Sequence, residues 1–111
     1  MATTILKGAP ILRFTATKED YYGAVGFYQL PQQVTDKIFL KLKDSSAQIR
    51  VMIVLLGTKE GFGISARWLS DRTSIGRTNL YETLNKLIEK NFLIRDDITN
   101  SLIVNYQAIM E

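Results

Sequence analysis

The chain has 111 residues, 46% of them apolar, a formal net charge of +3, and neither cysteine nor histidine. That length suits one domain with a modest core, and the missing residue types exclude disulfides, thiolate metal sites and the commonest general base. No apolar run reaches the length of a membrane span, and the opening MATTILKGAP lacks a basic segment followed by a long apolar one, so a cytoplasmic protein is expected.

Residues 1–25 hold Ile5, Leu6, Ile11, Leu12 and Phe14 without a sustained period, and Gly8, Pro10 and Gly23 break any helix. The expectation is an N-terminal arm, partly extended. A mobile terminus is the bland reading. A tail seldom carries Ile11, Leu12, Phe14, Tyr21 and Tyr22, which favours an arm packed on a second subunit of a homodimer. The main domain is then 26–106, with 107–111 a short tail or the start of a further helix.

Gly26 to Pro31 is a short extended segment, and Pro31 suits the start of a helix. That helix spans roughly Gln32–Leu42, with Val34, Ile38, Phe39 and Leu42 as its apolar stripe. Ser45 followed by Gln48 fits a capping box. The helix it opens runs to about Leu56, with Ile49, Met52, Ile53 and Leu56 on one stripe and Val51, Val54 and Leu55 on other faces. A helix apolar nearly all round is buried nearly all round, so this is the core helix. Gly57 is expected to end it in the left-handed conformation. The glycines at 57, 61 and 63 match neither a P-loop nor a dinucleotide fingerprint and follow no strand. Phe62 and Ile64 are expected to form a short strand that closes the sheet of a later hairpin.

From Ile64 onward the pattern tightens. Ser65 caps a short helix over about Ala66–Arg72 whose core residue is Leu69. Trp68 lies beside it as a half-buried lid on the first or second helix. Thr73-Ser74-Ile75-Gly76 is a turn, with Ile75 plugging the angle between helices. A longer helix follows over about residues 77–90, with Leu80, Leu84, Leu87 and Ile88 on one face. Asn91 suits its left-handed end. Phe92–Arg95 and Leu102–Tyr106 then read as strands joined by a polar turn. The fold class is α+β: a helix, a turn, a helix and a β-hairpin, which is a winged helix-turn-helix.

The run from Ile64 to Ile94 resembles the winged-helix core of bacterial regulators and replication proteins. Ser74 stands where glycine is commoner in that pattern, and Gly76 where serine or threonine is. With the Phe27-Tyr28-Gln29-Leu30-Pro31 lead-in and the two helices after it, residues 26–106 are similar to the N-terminal domains of RepA-type plasmid initiators. They also resemble DnaD-type and phage replisome-organiser proteins, whose usual C-terminal domain is missing here. The resemblance implies double-stranded DNA as partner, a homodimer, a role in replication initiation, and contact with other replication proteins. A transcriptional repressor with the same DNA chemistry is the nearest alternative, and a winged-helix protein-interaction adaptor is the alternative from another class.

Within that frame the residues take roles. The first residues of a recognition helix enter the major groove, so Arg77, Thr78 and Asn79 are the base readers; arginine pairs bidentately with guanine and asparagine with adenine. Taken alone, the same three residues suit any solvated helix start. Ser65, Arg67, Thr73 and Ser74 sit at helix starts and the turn, where hydroxyls and free N–H groups meet phosphates; plain capping is their other reading. Lys86 and Arg95 flank the reading helix and suit backbone rather than base contact; ordinary surface is their equal alternative. Tyr81 either reaches a phosphate or packs as half-buried core. Asn100 and Ser101 at the wing tip face the minor groove, but Asp96 and Asp97 beside them argue against a gripping wing. No catalytic set, cofactor or metal site is expected, because no paired carboxylates or two-metal pattern accompany the absence of histidine and cysteine.

Overall fold

The computed structural model describes residues 6, 8–15 and 32–111. The Phe27–Pro31 lead-in, Tyr21 and Tyr22 lie outside the described residues. Among those described, the chain is an α+β fold of five helices and a three-stranded sheet. In chain order the elements are β1 (Ile11–Phe14), α1 (Gln32–Lys41), α2 (Ser46–Leu56), α3 (Ala66–Thr73), α4 (Arg77–Glu89), β2 (Leu93–Asp96), β3 (Ser101–Val104) and α5 (Tyr106–Met110).

The core is built on α2, which packs against α1, α3 and α4. Its buried stripe is Gln48, Val51, Met52, Leu55 and Leu56, one position round from the stripe expected from Ile49, Met52, Ile53 and Leu56. Ile49, Ile53 and Val54 are half-buried against the same core. Val51 and Leu55 are wholly buried, and the face they define brings Gln48 inward with them. Ser45 does cap the helix, accepting from the Gln48 N–H at 3.2 Å, but the Gln48 side chain makes no capping box. It is turned inward and accepts from Lys90 Nζ at 2.7 Å. Val34 and Ile38, with Leu42 just past its end, form the buried side of α1, whereas Phe39, assigned to that stripe, is 52% exposed. Gly57 ends α2 with φ −87, a right-handed and not a left-handed cap.

Residues 11–14 correct the picture of an arm lying outside the domain. Strand β1 pairs in parallel with β3, Leu12 opposite Leu102, and β3 pairs antiparallel with β2, giving the order β1-β3-β2. Leu12 is wholly buried in the chain's own core. The Phe62–Ile64 segment does not close the hairpin sheet, because β1 stands between them. It bonds to the far side of β1, through Leu12 N–H to Phe62 O at 2.9 Å and Ile64 N–H to Pro10 O at 2.8 Å. Thr15 locks the end of β1: its hydroxyl donates to Gln107 Oε1 at 2.6 Å and accepts from the Tyr106 N–H at 3.0 Å. The residues after 106 form the short helix α5, with Ile109 buried. Lys41 Nζ reaches over from α1 to its Ala108 carbonyl at 3.0 Å.

Candidate nucleic-acid interface

The angle between α3 and α4 is set by three residues. Ser65 accepts from the Trp68 N–H at 3.0 Å and opens α3. Ser74 ends it in the left-handed region, φ +59, which is where glycine is commoner because an L side chain crowds the following carbonyl. Ile75 plugs the angle with 7% exposure. Ser70 fixes the turn, taking the Ser74 and Ile75 N–H groups on its carbonyl and donating its hydroxyl to the Ile75 carbonyl. Gly76 then opens α4 with extended backbone and no side-chain cap.

Helix α4 buries Leu80, Thr83, Leu84 and Leu87. Opposite that stripe, Thr78, Glu82, Asn85 and Glu89 recur at spacings of four, three and four, and all are exposed; residues so spaced share one helix face. Arg77 and Tyr81 run down one flank, and Asn79 and Lys86 down the other. Arg77, Thr78 and Asn79 are exposed, and their side chains make no hydrogen bond within the described residues. Tyr81 is half-buried and packs against the core. Arg67 and Lys86 are exposed. The outward face therefore mixes hydrogen-bonding groups with both signs of charge: Glu82 and Glu89, interleaved in sequence with the basic residues of this region, lie on the outward stripe itself.

Four of the residues assigned to DNA contact, Thr73, Ser101, Arg95 and Asn100, make hydrogen bonds within the protein. Thr73 is 3% exposed, and its hydroxyl donates to the Leu69 carbonyl at 2.7 Å within α3, so it is no surface contact. Ser101 is also 3% exposed. It belongs to β3, and its hydroxyl lies 2.9 Å from that of Thr99. Arg95 is drawn into the hairpin turn: it donates to Asn100 Oδ1 at 2.9 Å and to the Asp96 carbonyl at 3.0 Å, and pairs with Asp97 at 3.6 Å. Asn100, half-exposed with φ +52, accepts from that arginine and donates through Nδ2 to the Gly8 carbonyl at 3.4 Å.

The hairpin tip is held from within. The Asp96 carboxylate accepts from the Ile98 and Thr99 N–H groups at 3.0 and 3.3 Å. Hydrogen bonding from the Thr99 side chain, then from its backbone, holds the Asp96 carboxyl below its ordinary value. The group this rigid tip presents is Ile98, 96% exposed. Sequence reading missed it, because an isoleucine within a polar turn carries no period. Trp68 is a half-buried lid, but the ring it meets is Phe62, centroids 4.9 Å apart, with the Arg72 guanidinium 5.5 Å over its own ring.

Among the described residues no group of histidine, cysteine, aspartate and glutamate is arranged to hold a metal ion, and no helix is long and apolar enough to cross a membrane. Comparison with protein-family models, with curated proteins and with solved structures gives no match.

Proposed function

We propose that this chain is a winged helix-turn-helix domain that binds double-stranded DNA in a sequence-specific way, with α4 as recognition helix and the β2–β3 hairpin as wing. The observation that carries the reading is the first turn of α4. It exposes Arg77, Thr78 and Asn79 side by side, unbonded to the rest of the described protein, at the end of a helix-turn-helix fixed by Ser70 and Ile75. Such a helix fits the major groove, and its first residues reach base edges. Arg67, Ser74 and Lys86 are exposed around it and are assigned to phosphates. The wing contributes little grip, since Arg95 is occupied and the tip is acidic.

Binding as a homodimer on a repeated site, in plasmid or phage replication initiation, follows from the resemblance of residues 26–106 to replication proteins. An adaptor reading has one observation in its favour, the exposed Ile98 at a rigid tip, which is a ready anchor for an apolar pocket on another protein.

The test is selection from a random duplex pool at two salt concentrations. Enrichment of a motif with two spaced half-sites is expected. Arg77→Ala should then cost about 1–3 kcal/mol on the selected site and relax one base position. Binding without enrichment would reduce the role to backbone contact. No binding at low salt, with partner capture abolished by Ile98→Asp, would establish the adaptor.

A further inference from the structure

An open groove of about 350 Å³ runs along the Asn79–Lys86 flank of α4. Its far wall is the first half of α2, and its end is the α3–α4 turn; Arg50, Ser74, Gly76, Asn79, Glu82 and Lys86 are among its lining residues. Arg50 belongs to α2, whose sequence pattern points only to a core role. It is exposed, and one bond, NH1 to the Thr73 carbonyl at 3.3 Å, steers it across the groove toward the end of α3. The rest of its guanidinium has no hydrogen bond within the described residues. Lys86 stands on the opposite wall, exposed and without a partner among the described residues. Lys90, one turn further on, is held by Gln48 and is not part of the set.

We infer that Arg50 and Lys86 together hold the sugar-phosphate backbone of one DNA strand alongside the bases read by α4, which makes α2 part of the binding surface. The inference rests on the DNA-binding reading above. Its geometry is that of a rail: Asn79 faces the bases from the same flank, so a strand entering past Asn79 passes between the two cations. Arginine holds a phosphate bidentately and lysine as a point charge. Glu82 lines the same groove. The two cations outweigh this carboxylate, and a phosphodiester carries a single charge, so passage along the rim is favoured over a free dianion on the floor.

The experiment is a binding titration by fluorescence anisotropy between about 50 and 200 mM salt, with the duplex selected above and a scrambled duplex. Wild type, Arg50→Gln, Arg50→Lys and Lys86→Ala are compared. Arg50→Gln and Lys86→Ala should each weaken both duplexes by the same factor and make the log–log salt slope shallower by about one. Arg50→Lys should keep the slope. The Lys86 side chain makes no hydrogen bond among the described residues, so its variant keeps the test valid if Arg50→Gln unfolds the turn. Wild-type binding with unchanged slopes in the variants would overturn this inference and leave the DNA reading standing. Loss confined to the selected duplex would overturn it as well, by making these residues base readers. Absence of wild-type binding would overturn both readings.

Discussion

At the scale of single residues, the turn between α3 and α4 holds two that stand in each other's expected chemistry. Ser74 occupies left-handed backbone, which costs a non-glycine residue about 1 kcal/mol. Gly76 has ordinary negative φ, open space where a Cβ would go, and no cap to offer α4. Ser74→Gly should therefore stabilise the fold by about 1 kcal/mol, and Gly76→Ser by a few tenths more through a new N-cap bond. Denaturant midpoints read both. Lower stability in Ser74→Gly would mean that its hydroxyl serves the fold. These two departures were legible in the sequence because caps are local. Thr73 and Ser101 were not: a hydroxyl residue at a turn reads as surface, and only the packed structure shows each of them buried. Asp96 gives a second prediction. Its carboxyl is lowered by hydrogen bonds from Thr99 and Ile98, so it favours the folded tip when ionised. That support is complete above the unfolded value of about 3.9 and is lost as pH falls through the lower folded value. An NMR titration of the Asp96 carboxyl should have its midpoint below 3.8, and the Ile98 and Thr99 amide shifts should follow it.

Among elements, the helices were legible and the sheet only partly. Periods of 3.6 residues placed α1 to α4 within a residue or two, since the apolar spacing is a property of each segment alone. The exact face of α2 was not: the helix is apolar nearly all round, and Val51 and Leu55 are buried by packing against α1, α3 and α4, elements outside the segment. Strand β1 was read as an arm for the same reason. It is four residues long, preceded by Gly8 and Pro10, and its partner β3 lies some ninety residues further along the chain. No local pattern reports such a pairing. Its integration has a direct consequence. Leu12 has no exposed surface and sits opposite Leu102, so Leu12→Ala should cost about 2–5 kcal/mol by transfer and cavity terms. A change under 0.5 kcal/mol in denaturant unfolding would return the strand to the status of a detachable arm.

For the whole molecule, charge is the deciding quantity. A net +3 gives weak general attraction to a polyanion, so in the proposed DNA-binding role discrimination would depend on how charge is placed on the α4 face. Glu82 and Glu89 lie in the outward stripe with Thr78 and Asn85. On a DNA-binding helix these carboxylates repel phosphates of any duplex. On the proposed reading Glu82 is compensated on the correct site alone if it meets a cytosine, because a carboxylate accepts from cytosine N4. The two positions are therefore expected to differ. In Glu89→Gln, removing one charge about 10 Å from a phosphate contributes about 0.4 kcal/mol in water. Affinity should rise about twofold on selected and scrambled duplexes alike at 10 mM salt, and the gain should fade above 150 mM as the Debye length falls below that distance. In Glu82→Gln the scrambled duplex should gain by a similar factor, while the selected duplex loses its cytosine contact. The ratio of the two affinities should fall by at least fivefold, at about 1–3 kcal/mol for one base pair. Equal gains in both variants on both duplexes would leave Glu82 as a repulsive charge only, and would concentrate the reading of bases in Arg77, Thr78 and Asn79.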